Sequence, residues 1–123
     1  MPSKAPELPL EDIRRNIRLA QGFVEGFDLR GFRADARTIY AVTRCLEIIS
    51  EASRRLPASV KNRHPGIPWK DIAGAGNVYR HDYEDVLTDM IWHTVGALPA
   101  LLTAVESELS VAKPKRARIK PRK

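Results

Sequence analysis

Apolar residues recur along this chain at alternating spacings of three and four, the pattern of helices that bury one face. Leu10, Ile13, Ile17, Ala20, Val24 and Phe27 form the first stripe, with Pro9, Glu11 and Asp12 at its start and Gly26 near its end. A second stripe, Ile39, Val42, Leu46, Ile49 and Leu56 with Ser53 in its gap, follows Asp35 as an N-cap and stops before Pro57, predicting a helix over about 35–56. Leu87, Ile91, Val95, Leu98, Leu102, Val105 and Leu109 mark a final helix opening at Asp82, with Glu84 and Asp85 favoured by its positive end. Pro99 is expected to kink that helix or split it, aided by Gly96. Between the second and final helices, the segment from Pro57 to Gly76 holds three prolines and three glycines, too many for one long helix but compatible with two short ones. Turns are expected around 63–68, then a short helix with Pro68 in its first turn and Trp69, Ile72 and Ala73 along it. No stretch alternates with period two and no internal repeat is visible, so the prediction is an all-α, four- to five-helix up-down bundle.

A chain of 123 residues, 43% apolar, fits one domain with one core. Its apolar runs are far shorter than the ~20 residues that span a bilayer. The start of the chain has no apolar segment of the kind that marks secreted proteins, and the single Cys45 has no internal disulfide partner. A cytoplasmic location with no membrane contact is expected, with Cys45 a core thiol. The net charge of +6 changes meaning once divided. Residues 113–123 hold seven of the 21 basic residues and none of the 15 acidic ones, leaving a net −1 for the rest. The expected organisation is a bundle over 1–112 and a basic, disordered tail over 113–123, able to attract phosphate or merely to solubilise.

The stretch GAGNVYRHDYED, residues 74–85, carries the candidate chemistry. Gly74 and Gly76 suggest an extended run, which would set His81 and Tyr83 on the same side of the backbone, just ahead of a helix N-terminus that favours anions. These residues alone leave two readings open, a capped helix start or a site that meets phosphate.

Three blocks in order, DARTIYAVTRCLEIISEASRRLP, RHPGIPWKDIAGAGNVYRHDY and IWHTVGALPALL, resemble the HepT-like toxins of the HEPN superfamily over about Leu8 to Leu109. The resemblance implies a HEPN-like helical bundle, a homodimer, and the toxin half of a bacterial toxin–antitoxin pair whose partner is an MNT-type nucleotidyltransferase. It further implies a ribonuclease that uses no metal and no cofactor, with the hallmark Arg, four to six residues, His, any residue, Tyr. His81 and Tyr83 match that hallmark, and Asn77 matches the Asn that follows the Arg. The Arg position is Gly76, a departure; Arg80 is the nearest basic residue that can substitute, Lys70 being too far upstream. In this reading His81 is the general base for the 2′-hydroxyl, since an imidazole with an ordinary pKa near ~6.5 is a competent base at neutral pH. Arg80 and Asn77 contact RNA, and Tyr83 receives AMP from the antitoxin. A guanidinium stabilises the charge that gathers on the phosphorus centre, and loss of one such donor commonly costs ~10²–10³ in rate. The alternative is therefore a catalytically impaired interaction module that keeps the bundle.

Other candidates are weaker. His64, among prolines, reads as a surface turn residue, and His93 lies four residues after Asp89, a spacing that allows a hydrogen bond or a salt bridge. The sequence shows no di-iron or zinc ligand pattern, and the glycines at 74 and 76 lack the Lys-Ser/Thr ending of a phosphate loop. Trp69 and Trp92 read as core anchors.

Overall fold

A computed structural model describes residues 6–81 and 85–119, with side chains placed outside 77–86 and 112–119. Every regular element among the described residues is helical: α1 (Glu7–Val24), α2 (Leu29–Arg33), α3 (Ala36–Arg54), α4 (Ala58–Asn62), α5 (Trp69–His81) and α6 (Asp85–Ile119). The fold is all-α, as the periodicity predicts.

The starts and stops follow local chemistry. Pro9 is tolerated in the first turn of α1, where an N–H has no intrahelical acceptor. Gly26, with φ of 85°, makes the turn that ends α1 and sends the chain into α2. Asp28 caps α2 by accepting from the Gly31 N–H at 2.8 Å, and Asp35 caps α3 by accepting from the Thr38 N–H at 3.0 Å. Pro68 precedes α5 and its carbonyl accepts the Ile72 N–H.

Pairwise contacts set the directions. Arg55, just past the end of α3, pairs with Asp12 near the start of α1, so these helices run antiparallel. Ala73 of α5 lies by Arg54 and Gly76 by Ser50, so α5 runs antiparallel to α3. Arg33 at the end of α2 pairs with Asp89 near the start of α6, and Arg63 beyond α4 pairs with Glu108, which lays α6 along the bundle in the direction of α3. The long helices thus alternate up and down, with α2 and α4 as single-turn connectors.

The core is built from the predicted stripes. Ile13 and Ile17 of α1, Val42 and Ile49 of α3, and Ile91 and Val105 of α6 are all buried. Phe32 of α2 is buried as well, its ring 5.2 Å from that of Trp92. Cys45 is buried within α3, and burial raises its thiol above the ordinary value, as expected of a core residue.

Three expectations need correction. Residues 74–81 are helical rather than extended, because Ile72, Ala75 and Gly76 continue the face that α5 lays on α3. Helix α6 is not split at Pro99 but runs unbroken from Asp85 to Ile119, the long apolar stripe holding it together across the lost N–H. The expected boundary at residue 112 falls inside that helix. The capping role expected of Asp82 and Glu84 lies outside the described residues. No helix among the described residues is long and apolar enough to cross a membrane.

Candidate functional site

Helix α5 carries the candidate residues in its last two turns. Asn77, Arg80 and His81 are helical, His81 being the final residue of α5, while Tyr83 lies outside the described residues. At 100° per residue, positions 77, 80 and 81 fall within an arc of about 100°, and 77 and 81 are one turn apart. Helical register therefore groups three of the candidates on one stripe. Position 80, one turn beyond 76, borders the stripe through 69, 72 and 76 that packs on α3, whereas 77 and 81 lie further round the helix.

The contact between α5 and α3 explains how this segment is held. Ser50, 1% exposed on α3, donates its hydroxyl to the Ala73 carbonyl at 3.0 Å and accepts the Gly76 N–H at 3.2 Å. Arg54, one turn further along α3, donates from Nη1 to the same carbonyl at 2.6 Å and to Ser50 Oγ at 3.4 Å. Gly76 permits this approach: a Cβ there would stand 3.0 Å from Ser50 Oγ. Its role is close helix contact, not the flexibility that suggested an extended chain. Gly74, by contrast, faces open space.

Ser50 and Arg54 escaped the sequence reading. The signal available was a polar residue within an otherwise apolar stripe, since a buried hydroxyl needs partners and Ser50 finds them on α5.

The N-terminal end of α5 is anchored separately. Trp69 Nε1 donates to the His64 carbonyl at 3.0 Å, and the His64 ring meets Glu108 Oε2 at 2.7 Å. Arg63 adds two further bonds to Glu108, from Nε at 3.0 Å and Nη2 at 2.8 Å, and chiefly this pairing holds the Glu108 carboxyl below its ordinary value. His64 is thus a tie between the turn and α6, not an isolated surface histidine. Asp89 is likewise held low, first by its bonds from Arg33 at 2.8 and 2.7 Å and last by the charge of His93, whose spacing allows a hydrogen bond or a salt bridge. An apolar groove of about 360 Å³ opens between α5 and α6, floored by Leu46 and Ile49 and edged by Ile72, Ala75, Met90 and Leu98. No group of three or more His, Cys, Asp or Glu side chains gathers as a metal site among the described residues.

Comparison with known proteins gives this arrangement a context. A family model described as ribonuclease HepT-like matches residues 13–108, spanning both the α3–α5 contact and the segment 77–83. A probable ribonuclease HepT of Thermococcus cleftensis is 40% identical over 86 residues, covering 70% of this chain and 78% of its own. A putative RNase of Caldanaerobacter subterraneus subsp. tengcongensis is 35% identical over 92 residues, covering 75% and 82%. A putative RNase of Methanocaldococcus jannaschii is 34% identical over 95 residues, covering 77% and 78%. No solved structure matches the chain at a significant level.

Proposed function

We propose, from the premise that this chain belongs to the HepT-like ribonuclease family, that it is the toxin of a toxin–antitoxin pair and cleaves RNA without a metal ion. The observation that carries the reading is the family match across residues 13–108, a range that holds His81 and Tyr83.

In this reading His81 removes the proton of a ribose 2′-hydroxyl, and the oxygen so activated attacks the adjacent phosphorus and expels the 5′-oxygen of the next nucleotide. Charge gathers on the phosphorus centre as that bond forms. Arg80, the helical neighbour of His81, supplies the positive charge that position 76 does not, and Asn77, one turn back, orients the strand. The site is completed in a homodimer, and the protein acts in the cytoplasm.

Neutralisation falls to Tyr83. An MNT-type nucleotidyltransferase transfers AMP from ATP to the phenol oxygen, releasing pyrophosphate and placing a bulky anion two residues from His81. Incubation with such an enzyme and ATP is expected to add one adenylyl group in intact-mass spectrometry, and Tyr83→Phe is expected to remain unmodified. Modification of the Phe variant to the same extent would remove Tyr83 from this role.

One observation favours a second reading, an interaction module with impaired catalysis. Position 76, where the family hallmark places a guanidinium, is glycine here, and a Cβ there would press on Ser50 Oγ at 3.0 Å. Incubating the purified protein with RNA in the presence of EDTA separates the two. Cleavage that His81→Ala abolishes supports the nuclease; equal traces from both proteins support the module.

A further inference from the structure

We propose that Arg54 is a phosphate-binding residue of the RNA site, gripping the strand one or two nucleotides away from the bond that His81 acts on. The proposal rests on the ribonuclease reading and adds a subsite to it.

The described arginines fall into distinct groups by partner. Arg14, Arg18, Arg33, Arg44, Arg55 and Arg63 each pair with a carboxylate, which offsets their charge. Arg54 is held by neutral oxygens, the Ala73 carbonyl and the Ser50 hydroxyl, both reached from Nη1. No carboxylate pairs with it among the described residues. Its charge is therefore fixed in place without being offset, and its Nε and Nη2 donors make no hydrogen bond among the described residues. An exposed guanidinium oriented in this way has lost much of its rotamer freedom before a ligand arrives, which is the preorganisation an anion site needs.

Its location ties it to α5. The anchoring carbonyl belongs to Ala73, eight residues before His81, so the guanidinium stands on the order of 10 Å along the helix from the end of α5 at ~1.5 Å per residue. That separation is too long for both residues to serve one phosphate. It suits two phosphates of one extended strand running along α5. Gly76 contributes by leaving the space between α3 and α5 to Ser50, which in turn steadies Arg54.

The probe is a fluorescein-labelled single-stranded 2′-O-methyl RNA, which lacks the attacking hydroxyl and remains intact, with binding followed by anisotropy over a range of salt. Arg54→Gln is expected to weaken binding about 5–10-fold and to reduce the slope of log K against log salt by roughly 0.7, the value for one contact on a single strand. Arg54→Lys is expected to restore the slope, because it keeps the charge. Arg44→Ala, which removes a paired arginine from the same helix, is expected to bind as the wild type does. A Gln variant with wild-type affinity and slope would overturn the assignment while leaving the ribonuclease reading intact. So would a Lys variant as weak as Gln, since loss of helix packing rather than charge would then explain the defect. If the wild type binds no RNA at all, both readings fall together.

Discussion

A methyl group at position 76 would stand 3.0 Å from Ser50 Oγ and 3.4 Å from Ser50 Cβ. The hydroxyl must shift by a few tenths of an ångström, which strains its bonds to the Ala73 carbonyl and the Gly76 N–H, so Gly76→Ala is expected to destabilise by about 1 kcal/mol. In a Ser50→Ala background the closest atom is gone, and the same substitution is expected to cost several tenths of a kcal/mol less. Urea unfolding of the four proteins measures that coupling, and additive effects would show that the two positions do not press on each other. Gly76→Arg, though it restores the family hallmark, is expected to loosen the α3–α5 contact rather than raise cleavage. The residues of the candidate site divide along the same line. His81, Tyr83 and Asn77 are legible in the sequence because their spacing is local. Ser50 and Arg54 are not, because 26 and 19 residues separate them from their partners Gly76 and Ala73, and only packing brings them together.

Helices α1 and α3 are legible from their stripes, with Asp35 capping the start of α3 and Gly26 turning the chain after α1. The first half of α5 is legible as a short helix through Trp69, Ile72 and Ala73, but its continuation over 74–81 is not, since Gly74 and Gly76 look like punctuation until the tight face on α3 is seen. Helices α2 and α4 are single turns, too short for periodicity to mark, although Asp28 offers α2 a cap. Helix α6 survives Pro99 because its buried positions continue on both sides of it. The tie between α6 and the turn before α5 has a pH signature. The Glu108 carboxyl is held below its ordinary value of 4.5, first by the hydrogen bonds from Arg63, so its contribution to stability is complete above that value. It is lost as pH falls through the depressed folded value. Thermal unfolding from pH 7 down into this acid range is expected to show a shallower loss in Glu108→Gln than in the wild type, with the variant less stable by about 1 kcal/mol at neutral pH. Parallel curves would indicate that Asp89, also held low, dominates the acid response.

At the scale of the whole molecule, charge is unevenly divided: residues 113–123 are strongly basic and the remainder is close to neutral. Any RNA affinity from the basic end would be non-specific and salt-sensitive, and would not choose the bond to be cut. In the proposed mechanism that choice belongs to the end of α5, where His81 is the final helical residue and Asn77 and Arg80 lie within one turn of it. The chemistry assigned to His81 requires a 2′-hydroxyl, and this gives the most direct test. The purified protein and His81→Ala are incubated in EDTA with an RNA strand and with the same strand made entirely of deoxyribonucleotides. The wild type is expected to cut the RNA alone, and His81→Ala neither strand. Cleavage of both strands by the wild type, or undiminished RNA cleavage by His81→Ala, would contradict the proposed mechanism.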